Sequence, residues 1–94
     1  MDLMMIRDVM CVEGKGHVLT GPWLSADVGS QDDVAWLLER QVTVSGKHGQ
    51  LLHLLVKAVS LRQTMSGAME ARLGVEHPPG GVAILVDSIV TIER

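Results

Sequence analysis

Residues 8–21 read DVMCVEGKGHVLTG, and this stretch decides how the chain is expected to fold. Two apolar-rich segments flank Gly14-Lys15-Gly16. Glycine adopts positive φ at little cost, which is what a tight hairpin turn requires. The stretch therefore predicts a β-hairpin, with one strand over roughly residues 4–12 and a second over His17 to Thr20.

Beyond the hairpin the pattern changes twice. Gly21-Pro22 interrupts the second strand, because proline lacks the backbone N–H that a strand ladder uses, and Trp23, Leu24 and Ala26 are expected to resume it. Residues 30–40 read SQDDVAWLLER, in which apolar side chains recur at helical spacing. Ser30 and Asp33 form an acidic variant of a capping box, so a short helix or helical turn is predicted there.

The second half reads mainly as strands. Residues 41–45 alternate as a strand, 46–49 form a turn, and the apolar run over 51–61 fits a strand or a helix, with its flanking glycines favouring a strand. Residues 62–73 fit either a helical turn or a short strand. Pro78-Pro79-Gly80-Gly81 marks a turn, and 82–86 and 89–92 are predicted as further strands.

Composition narrows the class of protein. The chain has 94 residues, enough for one domain, and 47% of them are apolar, which predicts a folded core. The eight Lys and Arg residues are scattered and the formal charge is −3, which disfavours nucleic-acid binding. A single cysteine rules out an internal disulfide and fits a cytoplasmic location. The first ten residues, MDLMMIRDVM, resemble neither a signal peptide nor a membrane span.

The hairpin stretch resembles one particular β-barrel. Its order of residues is similar to the entry into the second domain of translational GTPases such as elongation factor Tu, roughly D-V-x-x-I-x-G-R/K-G-T-V-x-T-G. Residues 40–46, RQVTVSG, and residues 80–94, GGVAILVDSIVTIER, are similar to later phrases of that domain in the same order. The resemblance covers residues 5–94 and implies a Greek-key β-barrel of six to seven antiparallel strands, closed or partly open.

The departures from that family bear on function. His17 stands where the family usually has Thr, and Asp87 stands where the elongation factor carries Arg near the tRNA terminus. The chain has no G-x-x-x-x-G-K-[ST] phosphate loop, so GTPase chemistry is not implied. The similarity ends at Arg94, where the family continues into one more strand. The missing strand is expected to be supplied by the N-terminal run MDLMMI or by a second copy of the chain.

Few residues stand out as chemical candidates. Lys15 and His17 lie at the hairpin and are candidate binding residues. Trp23 and Trp36 are either interface anchors or core side chains, since they are the only aromatic residues besides histidine. Cys11 and His17 fall on the two strands of the hairpin, where a nucleophile and a base would be neighbours, but the sequence identifies no third group to orient them.

No metal ligands, cofactor or catalytic residues are assigned from sequence. His17, His48, His53 and Cys11 are suitable ligand types, yet none shows C-x-x-C or H-x-x-x-H spacing. The carboxylates Asp32, Asp33 and Glu39 are explained by helix capping and a solvated face.

The expected protein is thus a single mainly-β domain spanning residues 1–94, with one short helix near residues 31–40. The expected function is that of a non-enzymatic, freestanding barrel that binds a protein partner or self-associates, with no membrane partner. Two alternatives stay open: an RNA- or ribosome-associated module, and a small-molecule or flavin-binding barrel.

Overall fold

The computed structural model describes residues 1–25 and 32–93, which form seven strands in one antiparallel sheet. The strands are β1 (Asp2–Met5), β2 (Asp8–Val12), β3 (Gly16–Pro22), β4 (Gln41–Ser45), β5 (Leu51–Gln63), β6 (Met69–Val75) and β7 (Ile89–Thr91). A 3₁₀ helix at Asp32–Leu37 lies between β3 and β4, and a second, of three residues, at Pro79–Gly81 lies between β6 and β7. The mainly-β fold with a short helix near residues 31–40 is confirmed.

The strand order bends the sheet into a partly open barrel. Across the sheet the order is β1-β7-β4-β5-β6-β3-β2, so β1 and β2 occupy opposite edges. Only Ile6 and Arg7 join these two strands. The two edges must therefore lie close together, which requires the sheet to curl. Contacts between β1 and the end of β3 narrow the opening: Met4 bridges Trp23, and the Leu24 amide donates to the Leu3 carbonyl at 2.8 Å.

The single strand predicted over residues 4–12 is wrong, because the chain turns a corner at Ile6-Arg7. The Ile6 amide donates to the Ser88 carbonyl at 2.9 Å, on the β7 side of the molecule. The next amide, that of Arg7, donates to the Thr20 carbonyl of β3 at 2.8 Å. The backbone changes partners between these two residues, so one apolar run becomes two strands on opposite edges.

The middle of the chain forms a Greek key. Strands β4, β5 and β6 follow one another as hairpins, and β3, which precedes them, lies beside β6. The run over 51–61 belongs to the long strand β5, as favoured from sequence. The ambiguous stretch 62–73 resolves into the end of β5, a turn over 64–68 and most of β6.

The strand predicted over 82–86 is also wrong. This segment makes a single bridge, Gly46 with Ile84, and its Leu85 and Val86 side chains are exposed. The position beside the middle of β4 is taken instead by β7, through Thr43 and Thr91. Strand β7 confirms the prediction over 89–92 to within a residue.

Strand β1 pairs with β7, with Met4 opposite Val90 and Met5 opposite Ile89. The N-terminal run therefore lies beside β7 and forms one edge of the sheet. The predicted contributions of Ser30 to a helix cap and of Ala26 to a strand lie outside the described residues.

The core lies inside the curled sheet and consists of aliphatic side chains. Val34 and Leu37 of the 3₁₀ helix are fully buried and cover part of it, while Leu38 is exposed. The largest fully buried side chains include Leu3, Met4, Ile6, Leu19, Leu37, Leu54 and Leu73.

Among the described residues, no helix is long and apolar enough to cross a bilayer.

Candidate functional site at the glycine hairpin

The hairpin predicted from Gly14-Lys15-Gly16 is present and joins β2 to β3. The Lys15 amide donates to the Val12 carbonyl at 3.0 Å, which closes the turn. Gly14 and Gly16 have φ of 77° and 133°, a region that favours glycine. At Gly16 a Cβ atom would also overlap the carbonyl oxygen of Val75 on β6. The second glycine is therefore needed both for the turn and for the close approach of β3 to β6.

A groove of about 440 Å³ lies beside this turn, and we call it the hairpin groove. In the strand register Val18, Gly74 and Ala58 are direct neighbours on β3, β6 and β5, so they share one face. Two of these three residues are small, which leaves room above the strands. Besides Lys15, His17 and Lys57, the groove is lined by small and aliphatic residues: Val12, Gly14, Gly16, Val18, Ala58, Gly74 and Val75.

Two lysines also line the hairpin groove. Lys15 belongs to the turn, and Lys57 lies on β5 at a register shift between Val56 and Ala58. The Lys57 Nζ atom donates to the Lys15 carbonyl at 3.5 Å, so its ammonium group is close to the turn. Neither lysine forms an ion pair among the described residues. The groove is therefore apolar with locally positive charge, on a chain whose formal charge is −3.

A second feature of the hairpin is a cluster of one thiol and two imidazoles, Cys11, His17 and His77, which we call the imidazole–thiol cluster. Cys11 lies directly opposite His17 in the β2–β3 register. Directly opposite residues of an antiparallel pair project to the same face with Cβ atoms about 4.5–5.5 Å apart. The proximity that the sequence suggested for this thiol and imidazole is thus provided by the hairpin itself.

His77 reaches the same place from the end of β6. Its Nδ1 atom lies 3.1 Å from the Nδ1 atom of His17, and the two rings meet edge to face at 85°. Desolvation by burial, and then the nearby His77, lower the pKa of the His17 imidazole from its ordinary value of 6.5. His17 is half-buried, whereas Cys11 and His77 are exposed.

The residue before His77 is held in place by β5. The Glu76 amide donates to the Leu55 carbonyl at 3.0 Å, and the Leu55 amide donates to the Glu76 Oε1 atom at 3.0 Å. The residue after it, Pro78, is buried. The backbone is therefore hydrogen-bonded just before His77 and buried just after it, which restricts the positions that its imidazole can reach.

The predicted binding residues separate into two pairs. Lys15 and His17 both line the hairpin groove. Trp23 and Trp36 are half-buried and pack against the core, and Arg40 lies over the Trp36 ring at 5.7 Å from its centroid.

The other histidines considered from sequence lie away from the cluster. His53 on β5 contacts the Thr43 hydroxyl at 3.2 Å, and His48 lies in the β4–β5 turn. Sequence reasoning missed Lys57 and His77. No local spacing links either residue to the hairpin, and only the β3–β6–β5 register brings them there.

In chemical terms, a thiol beside two imidazoles can hold a transition metal ion or can pair a nucleophile with a base.

No protein-family model matches the chain, and neither the curated proteins nor the solved structures contain a significant match.

Proposed function

We propose that this chain is a non-enzymatic binding module that holds an extended segment of a partner protein in the hairpin groove. The observation that carries the proposal is the groove itself, which combines a floor of small and aliphatic residues with two lysines that have no ion-pair partner among the described residues. Such a combination of an apolar surface with a few polar groups is typical of ligand sites.

The floor favours an aliphatic side chain in the partner. Gly74 is packed so closely that a Cβ atom there would lie 3.2 Å from the Ala58 Cβ. Val12 and Val18 are half-buried, so a branched or linear aliphatic group placed over them would remove further apolar surface from water.

The lysines favour a carboxylate next to that aliphatic group. Both ammonium groups belong to side chains that are exposed in the free protein. The chain as a whole carries a formal charge of −3, so the two lysines make the hairpin groove a locally positive site. Such a site favours a partner with acidic groups. Each exposed charge pair at contact distance contributes about 1 kcal/mol in water, or about fivefold in Kd.

Strand β2 favours an extended conformation of the partner. It is the last strand of the sheet, and among the described residues only β3 pairs with it. Its outward amide and carbonyl groups can accept a further strand, which is a common way for sheets to bind peptides.

Selection from a random peptide library displayed on phage tests this chemistry. We expect the selected peptides to be enriched in Asp or Glu beside Val, Ile or Leu. Synthetic versions of these peptides should lose affinity for a Lys15→Glu/Lys57→Glu variant, and binding to that variant should weaken by well over tenfold because both charges are reversed.

The matched control is Lys47→Glu, which reverses an exposed lysine in the β4–β5 turn and should leave binding unchanged. Enrichment of basic peptides, or equal binding by both variants, would contradict the proposal. Sedimentation velocity tests self-association. If the wild type is a dimer and the Lys15→Glu/Lys57→Glu variant is a monomer, the occupant of the groove is a second copy of the chain and not a different protein.

A further inference from the structure

We infer that Cys11, His17 and His77 form a binding site for a divalent transition metal ion of the zinc class. One ligand atom from each of these residues lies within 4.8 Å of the other two. The inference goes beyond the proposed function and does not rest on it, because it is argued from the contacts within the imidazole–thiol cluster, which shares only His17 with the hairpin groove.

The distance between the imidazoles fits a metal ion with little rearrangement. Zinc–nitrogen bonds of about 2.0–2.1 Å at a tetrahedral angle separate the two nitrogen atoms by about 3.3–3.4 Å. The two Nδ1 atoms are already 3.1 Å apart. Their present contact requires one ring to donate a proton to the other, and a metal ion placed between them would replace that proton.

To bind the same metal ion, the Cys11 sulfur must move farther than the imidazole nitrogens. A zinc–sulfur bond of about 2.3 Å places the sulfur about 3.6 Å from each ligating nitrogen in a tetrahedral site. The present upper limit of 4.8 Å is about one ångström longer. Cys11 is exposed on an edge strand, so rotation about its Cα–Cβ bond can move the sulfur without displacing packed neighbours.

The backbone around the cluster is organised as a ligand site requires. Cys11 and His17 are held by the β2–β3 ladder, and the segment carrying His77 is held through Glu76 and Leu55. Three ligands from three separate segments would be joined by the metal ion, so binding should stabilise the edge of the sheet.

The residue types indicate the class of metal. One thiolate with two imidazoles is a borderline-soft set, which favours zinc, cobalt or copper over magnesium or calcium. Among the side chains of residues 1–25 and 34–93, no fourth His, Cys, Asp or Glu joins the group. The expected site therefore has three protein ligands and one position for water or an added ligand.

Titration of the metal-free full chain with Co²⁺ and Zn²⁺ tests the inference. Co²⁺ should produce a thiolate-to-cobalt charge-transfer band that saturates at one equivalent and is displaced by Zn²⁺. In Cys11→Ser that band should disappear. Zn²⁺ competition against a chromophoric chelator should show a loss of more than about tenfold in His77→Ala, since even changes next to metal ligands cost about 10–100-fold.

His48→Ala is the matched control, because it removes a histidine that lies in the β4–β5 turn and should leave metal affinity unchanged. Alkylation of Cys11 in the wild type is a measurement that needs no variant: one equivalent of Zn²⁺ should slow the reaction with iodoacetamide at least tenfold, as expected for a metal-bound thiolate. Absence of the cobalt band, equal zinc affinity in His77→Ala and His48→Ala, or an alkylation rate independent of Zn²⁺ would each overturn the inference.

Discussion

The Nδ1 atoms of His17 and His77 lie 3.1 Å apart, although sixty positions separate the two residues in the chain. His17 belongs to β3, and His77 comes two residues after Val75, its partner in the β3–β6 register. The contact therefore depends on the β3–β6 register. Because His17 belongs to the hairpin, the ionisation of its imidazole should affect the stability of the folded hairpin.

The pH dependence of stability follows from the lowered pKa of His17. In the unfolded chain this imidazole takes up a proton near its ordinary pKa of 6.5, whereas in the folded protein it does so only at lower pH. The neutral imidazole therefore contributes stability that is fully present above 6.5 and is lost as the pH falls through the folded pKa. In metal-free protein, the free energy of unfolding should decrease between about pH 8 and about pH 5.5.

His17→Asn removes that titration and should make the decrease smaller, as measured by urea unfolding at both pH values with a chelator present. His48→Ala serves as the control. An identical decrease in His17→Asn and the wild type would show that other groups cause it.

The two glycines of the hairpin should differ in their tolerance of alanine. Both have positive φ, but at Gly14 a Cβ atom would meet nothing within 4 Å, whereas at Gly16 it would overlap the Val75 carbonyl oxygen. Gly14→Ala should cost about 1–2 kcal/mol from the backbone conformation alone. Gly16→Ala should cost distinctly more, because β3 and β6 must also separate. Chemical denaturation of the two variants measures the difference, and equal losses would contradict the close approach of β3 to β6.

The N-terminal strand should be an integral part of the fold. Met4 is fully buried opposite Val90, whereas Met10 on β2 is 58% exposed. Met4→Ala should lower the free energy of unfolding by about 2–5 kcal/mol, as for other buried methionines. Met10→Ala should change it by no more than about 0.5 kcal/mol. Thermal or urea unfolding distinguishes these outcomes, and a neutral Met4→Ala would mean that β1 does not complete the sheet beside β7.

The ion pair between Arg62 and Glu70 should contribute little. Its Nη2–Oε1 distance is 3.0 Å, but the Arg62 side chain is 69% exposed and water screens the attraction. A double-mutant cycle with alanine at both positions should give a coupling energy below about 1 kcal/mol that decreases further in high salt. A coupling of several kcal/mol would indicate that this end of the β5–β6 hairpin is less accessible to solvent than its exposure suggests.

The predictions from sequence were accurate where neighbouring residues decide the conformation. Glycine at positions 14 and 16 specifies the hairpin, because other residues are strained at positive φ. The alternation of Val42 and Val44 specifies a strand with one buried face, and both side chains are fully buried. The apolar run over 82–86 misled because apolar character alone does not determine whether a segment finds a strand to pair with.

The sequence by itself therefore determined the mainly-β class, the hairpin and the candidate residues Lys15 and His17, since these depend on local preferences and on the spacing of apolar side chains. Only the tertiary structure decided that the backbone changes partners at Ile6-Arg7, and that Lys57 and His77 join the hairpin. The physical reason is that the register between distant strands is set by burying the whole core at once. No short stretch of sequence contains that information, so the contact between His17 and His77 follows only from the assembled sheet.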